Sequence, residues 1–345
     1  MKIIQVGLGA WGQSWLDVVS GHDRWSLAAV VDSDQAARER ASARHGIPAH
    51  ERLFEALRAH PDAGAVLVLV PPEAHAAVSI EAMAAGRDVL IEKPLAASLP
   101  DARAIVETAN KHSRIAMVSQ NYRFKRAART VNRLITQGVI GDVQQITITY
   151  RKNPPFEGFR LEMPEPLLID LAIHHFDLLR GVTGLNCHEV RARTWNPSWS
   201  QFKGNSSALV EFDLDNGARA VYTGFWSSYG RHTSWDGDWT IEGSAGSITW
   251  ADNEVTVRFA NIFDTTFLPG ALERGGVMHV DLDRLGAEER PAVLDAFADA
   301  VTHRTTPETS ADDNIRSLEL VLAAVSSAGD NGVPIDPRRL AEQVS

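Results

Sequence analysis

The sequence predicts an α/β protein: a doubly wound parallel sheet in residues 1–120, then an α+β domain with an open, mostly antiparallel sheet in residues 121–345. Three observations predict it. Short apolar runs alternate with helical stretches through the first third of the chain. The apolar spacing then changes to every second residue, and turn sequences begin to recur between short strands.

Taken in order, residues 3–6 form an apolar run that ends at Gly7, as a buried parallel strand should. Trp11, Trp15, Val18 and Val19 follow at helical spacing. A second run, 27–31, stops at Asp32 before an Ala/Arg-rich helix. Leu53, Phe54 and Leu57 mark another helix ahead of the apolar run 65–70. A helix over about 73–85 stops at Gly86, where glycine commonly ends one. Strands over 89–91 and 115–118 flank a helix that opens on Ser98-Leu99-Pro100-Asp101. Beyond residue 120, Ile146, Ile148 and Tyr150 alternate with Thr147 and Thr149, the period of a half-buried strand. Asp215-Asn216-Gly217 reads as a hairpin turn, and Ser244-Ala245-Gly246 and Asp252-Asn253 as two more. Helices over about 290–302 and 311–328 close the chain. No repeat, low-complexity tract or Pro/Ser linker interrupts it.

Composition narrows the function. Apolar residues at 44% and charged residues at 23% suit an ordinary globular protein. Thirty-four Lys and Arg against forty-four Asp and Glu leave a net charge of −10, a poor match for phosphate backbones or anionic lipid. Cys187 is the single cysteine, which excludes an internal disulfide and an all-Cys metal cluster. No leader-length apolar run follows Met1, and no run reaches the roughly 20 residues a bilayer demands. A cytoplasmic protein without nucleic-acid or membrane partners is expected.

Gly7-Leu8-Gly9-Ala10-Trp11-Gly12 matches G-x-G-x-x-G between a predicted strand and a predicted helix. In that setting the three glycines allow, in turn, a tight turn, close approach to a pyrophosphate, and close helix–strand packing. The helix N-terminus offers free N–H groups and the positive end of its dipole. Asp32 stands at the end of the second strand, where an acid accepts bonds from ribose hydroxyls and repels a 2′-phosphate. A bound dinucleotide is expected, NAD in preference to NADP, a preference tempered by the nearby Arg38 and Arg40.

Glu92-Lys93-Pro94 ends the strand over 89–91, which places a lysine at the mouth of the cofactor cleft. Residues 167–181 are apolar round nearly the whole helix, so that helix is buried. Its exceptions Asp170, His174 and Asp177 share one face, and burial obliges them to meet a polar network or a ligand. Asp170 can hold the His174 imidazole in one tautomer, as a general base requires. A satisfied core His–Asp network fits the stripe equally well. His175 lies off that face. A His-His-x-Asp metal site is disfavoured, because adjacent helical histidines diverge and no further ligand set has suitable spacing.

Together and in this order, the glycine loop, Asp32, Val70-Pro71-Pro72-Glu73-Ala74-His75, Glu92-Lys93-Pro94 and Asp170…His174…Asp177 resemble the Gfo/Idh/MocA oxidoreductase family over essentially the whole chain. The resemblance implies a Rossmann domain, then a domain whose open sheet builds homodimers or homotetramers. It implies NAD(P)-dependent oxidation or reduction of a secondary alcohol on a sugar, cyclitol or related polyol. Lys93, Asp170 and His174 would be the catalytic trio and would also touch substrate. Gly7, Gly9, Ala10, Trp11, Gly12, Asp32, Pro72, His75, Glu92 and Lys93 would hold the cofactor, with Asn121 and Arg123 meeting cofactor or substrate. No metal is implied. Ala172 replaces a glycine common in the family's helix, and Met163-Pro164-Glu165-Pro166 lacks its usual glycine cluster. Two other functions compete: an NAD-dependent glycosidase of the same family, and a non-catalytic dinucleotide sensor that keeps only the binding loop, against which the intact Lys93, Asp170 and His174 argue. Trp195, Trp199, Trp226, Trp235, Trp239 and Trp250 fall in the second domain, where packing within the sheet or between subunits accounts for most of them. A sheet face rich in Trp and Thr is expected to serve assembly.

Overall fold

The computed structural model describes residues 1–260, 272–274 and 277–340. The chain forms two compact units, Met1–Phe124 with Gly286–Ile315 and Lys125–Leu285 with Arg316–Ser345.

The first unit begins with β1 (Lys2–Val6), α1 (Ala10–Ser20), β2 (Ser26–Val31), α2 (Gln35–His45), β3 (Ala49–His50) and α3 (Leu53–Ala59). It continues through β4 (Ala65–Val68), α4 (His75–Ala84), β5 (Asp88–Glu92), α5 (Leu99–His112) and β6 (Ala116–Ser119). The strands pair in parallel in the order β3-β2-β1-β4-β5-β6. Chain order reverses between β1 and β4, which opens a crevice beyond their carboxyl ends. The central strands are apolar without alternation because helices cover both faces. On one face Leu8, Leu16 and Val30 meet Ala37 and Ala41, small residues that let the otherwise polar α2 lie close. Strand β3 has two residues, too few to show a period, and the sequence reading omits it.

The second unit holds α6 (Arg126–Thr136), β7 (Val143–Arg151), α7 (Ile173–Thr183), β8 (Cys187–Trp195), β9 (Ser207–Leu214), β10 (Arg219–Phe225), β11 (Asp238–Gly243), β12 (Gly246–Ala251), β13 (Glu254–Phe259), β14 (Leu272–Arg274) and β15 (Val277–Val280). Among the described residues these strands form one sheet in the order β14-β15-β13-β12-β11-β7-β10-β9-β8. Every pair is antiparallel except β7 with β10. The three turns expected from sequence each join adjacent strands. Asp252 and Asn253 adopt the positive φ, +51° and +60°, that a tight two-residue hairpin requires.

One face of this sheet is buried and the other is open. Ile146, Ile148, Tyr150, Tyr222, Ile241, Ile248 and Val257 point inward, and Phe176 of α7 packs edge-on to Phe212 and Tyr222. Trp239 and Trp250, cross-strand partners, stack on that same buried side. Trp226 is buried against Phe156 and Phe202. The open face carries Thr147, Thr149, Thr223, Thr240, Thr249 and Thr256, and of the sheet's tryptophans only Trp195. The expectation of a face rich in both Trp and Thr is corrected: the larger indoles fill the core, where their area counts most, and threonine is left outside.

Helices α8 (Glu289–His303) and α9 (Ala311–Gly329) end the described chain with the short turn Pro337–Arg339. The expected second domain, 121–345, included α8, whereas α8 belongs to the first unit. Val293, Leu294, Phe297 and Ala298 share a core with Ile3, Trp15, Val19 and Trp25. The Trp25 indole donates to the Leu294 carbonyl at 2.9 Å and stacks on Phe297. Such a return of the chain leaves no mark in local periodicity. No helix among the described residues is long and apolar enough to cross a membrane.

Candidate active site

In the first unit the candidate residues gather around the glycine loop. Gly7 turns out of β1 at φ +104°, and a Cβ on it would overlap the Leu69 carbonyl. A Cβ on Gly12 would overlap the Gly7 carbonyl oxygen. Both positions therefore require glycine for packing. Gly9 differs: a Cβ there meets nothing within 4 Å, so the space before the first turn of α1 is open. That turn, beginning at Ala10, has no acidic residue and no side-chain cap, so its N–H groups and dipole face the opening. The arrangement fits a dinucleotide's diphosphate.

Two supports hold this loop. Gln5, fully buried in β1, donates from Nε2 to the carbonyls of Gly12 at 2.8 Å and Gly7 at 3.2 Å. The sequence reading missed Gln5, although a lone amide inside an apolar strand demands partners and signals such a brace. The Asp32 carboxylate accepts from Leu8 N at 2.6 Å and Asp34 N at 2.8 Å, which fixes its orientation at the strand end. Arg38 is turned back on the carbonyls of Asp32 and Ser33, while Arg40 is exposed.

At the end of β5 the Glu92 carboxyl is buried. The Trp15 indole donates to it, as do the Trp11 indole and the Lys93 backbone N–H. Burial pushes its pKa above the usual carboxylate range, and the Lys93 charge offsets this in part. Lys93 thus stands beside a buried carboxyl held by two tryptophans. Pro72 starts a short turn, half-buried, after β4. His75 is turned inward: its ring nitrogens lie 2.9 Å from the carbonyls of Pro94 and Val70, and burial lowers its pKa. With its polar atoms so occupied, His75 ties two loops together rather than offering a nitrogen to a cofactor. Asn121 is half-buried at the start of the turn Asn121–Phe124, and Arg123 makes an ion pair with Asp313.

In the second unit the buried helix begins as a π-helix, Leu167–Ala172, and continues as α7. A π turn bonds residues five apart, so the Asp170–His174 alignment expected from α periodicity is altered at its first residue. Asp170 receives Arg160 Nε at 2.5 Å, and the guanidinium rests on Phe156 and Phe159. Arg160 was missed because no periodic element surrounds it. His174 keeps 8% of its surface exposed, whereas His175 has none. His175 Nδ1 lies 3.1 Å from the Tyr222 hydroxyl and Nε2 2.9 Å from the Trp235 carbonyl. Asp177 accepts from Ser317 Oγ at 2.7 Å, and Ser317 accepts from Arg180. On the polar stripe, Asp177 thus belongs to a core network and Asp170 carries an ion pair with Arg160.

Known proteins resemble the chain throughout. A family profile described as an oxidoreductase family with an NAD-binding Rossmann fold (GFO_IDH_MocA) matches residues 1–120. The profile of the GFO/IDH/MocA C-terminal domain matches residues 128–249. A 1,5-anhydro-D-fructose reductase from Ensifer adhaerens is 26% identical, over 94% of this chain and 95% of that one. An inositol 2-dehydrogenase from Rhizobium meliloti is 30% identical over 52% of this chain and 54% of its own. Among solved structures, an oxidoreductase from Agrobacterium radiobacter in complex with NAD+, L-tartaric acid and magnesium superposes with a TM-score of 0.85 at 22% identity, covering 99% of both chains.

Proposed function

Since the chain belongs to the Gfo/Idh/MocA family and is an NAD-dependent oxidoreductase, we propose that it moves a hydride between nicotinamide and a secondary alcohol or ketone of a sugar, cyclitol or related polyol. The observation that carries this reading is the glycine loop, open at Gly9 and closed at Gly7 and Gly12, with Asp32 fastened beside it. Relatives named for inositol and for an anhydro sugar support the substrate class.

When bound, NAD supplies the hydride acceptor. The α1 N-terminus binds its diphosphate, and Asp32 accepts from the adenosine ribose hydroxyls and disfavours a 2′-phosphate. Glu92 is held under the loop and orients the Lys93 backbone. The Lys93 ammonium donates to the reacting oxygen and stabilises its developing negative charge. His174 takes the hydroxyl proton as general base. Asp170, which is ion-paired with Arg160, supplies the negative charge that favours the imidazolium so formed. Asn121 completes the polar groups offered to substrate. The threonine-rich open face is the surface on which copies assemble as a dimer or tetramer.

The test is net turnover. The purified protein with NAD and a panel of sugars, cyclitols and glycosides should accumulate NADH with at least one free polyol. Cleavage of a glycoside without net NADH would replace dehydrogenation by a hydride-returning glycosidase reaction. No NADH with any polyol, and no oxidation of NADH with the matching ketones, would overturn the substrate class.

A further inference from the structure

The dinucleotide reading accounts for the glycine loop and Asp32 but leaves Arg290 unexplained. Arg290 is the second residue of α8, half-buried, with its guanidinium 4.8 Å from the centre of the Trp11 ring and 5.4 Å from that of Trp15. Its Nη1 donates to Ser14 Oγ at 2.8 Å, and that hydroxyl donates to the Trp11 carbonyl at 2.7 Å. The cation is thus fastened alongside the opening turns of α1. Among the described residues it has no carboxylate partner.

This is an unfavourable place for a positive charge. The N-terminus of α1 already presents the positive end of its dipole, and no acidic residue in the first turn relieves it. At two other helix ends charge matches the dipole: Arg44 and His45 stand in the last turn of α2, and Lys111 and His112 in the last turn of α5. Two positive fields meeting beside open space are reconciled by an anion between them. The platform is also rigid. Trp11 is half exposed, yet its indole N–H is held by the buried Glu92, so the ring presents Arg290 instead of swinging with it.

We propose that Arg290 is a cofactor-binding residue, its guanidinium pairing with the diphosphate of the dinucleotide seated at Gly9. The planar fork of arginine suits phosphate oxygens, and its stacking on two indoles leaves donors to spare. The inference rests on the dinucleotide reading and adds a residue to it from a distant part of the sequence.

Calorimetric titration of NAD, ADP-ribose and adenosine into the full chain and into Arg290→Gln and Arg290→Lys tests it. Arg290→Gln should lose about tenfold or more in affinity for NAD and ADP-ribose, as expected for a charged hydrogen bond. Adenosine, which has no phosphate, should bind both proteins alike. Arg290→Lys should recover part of the loss, and NAD binding by Arg290→Gln should depend less on salt. Unchanged affinity for NAD and ADP-ribose in Arg290→Gln would overturn the proposal, as would an equal loss for adenosine, which would mark a structural role for the cation–indole stack. Failure of the unmodified chain to bind NAD or ADP-ribose would remove the dinucleotide reading itself, a result distinct from an unchanged variant.

Discussion

His174 and His175 are adjacent in sequence and opposite in surroundings. His175 is locked between Tyr222 and the Trp235 carbonyl, while His174 keeps 8% of its surface exposed. His174→Ala should lose about 10²–10⁴-fold in single-turnover hydride transfer while still binding NAD, because the glycine loop lies on separate elements. His175→Ala should keep most of the transfer rate per folded molecule. The reverse order of effects would show that the helix face has been misassigned. His175 carries a second expectation. Burial lowers its pKa to about 4, so the folded protein keeps the ring neutral where an unfolded chain, near 6.5, binds a proton. The stability this neutral ring supports is complete above the unfolded value and is lost as pH falls from 6.5 towards about 4. The loss should reach roughly 3 kcal/mol, read as a fall in denaturant midpoint that His175→Gln largely abolishes. Equal pH dependence in both proteins would assign acid sensitivity to other groups.

At the scale of elements, the strand-turn-helix at the start of the chain is legible because every part is local. The run 3–6, the glycines and the helical spacing after them need no distant partner to be recognised. The brace was not read, although its signal was present: Gln5 stands in the middle of that apolar strand and bonds the carbonyls of Gly7 and Gly12. Gln5→Leu keeps the volume and removes both donors. It should cost about 1–3 kcal/mol in chemical denaturation and weaken NAD binding, since the loop loses its fixed shape. Full NAD affinity in a destabilised Gln5→Leu would show that the loop holds itself. The buried helix of the second unit was legible as buried and as carrying a polar stripe. Its opening π-helical stretch was not, because apolar residues on all sides give no period to betray the wider turn.

For the whole molecule, the open sheet of the second unit bears directly on assembly. Its outer face is threonine-rich, with Phe225 and Trp195 packed edge to face and Arg151 resting over the Phe225 ring. Light scattering at micromolar concentration should give a dimer or tetramer, and Thr147→Arg with Thr223→Arg should shift it towards the 37.7 kDa chain. A monomer before substitution would remove this surface from consideration. The sequence by itself determined the fold class, the alternation of strands and helices, and the dinucleotide loop. Each of these rests on short-range spacing: period two, helical period, or glycines a fixed number of residues apart. Tertiary structure alone decided that α8 joins the first core, that Arg290 stands beside Trp11, that Arg160 takes Asp170, and that the large indoles fill the inner face of the sheet. Those outcomes depend on which surfaces meet across long stretches of chain, and burial energy, unlike periodicity, is settled only when they do.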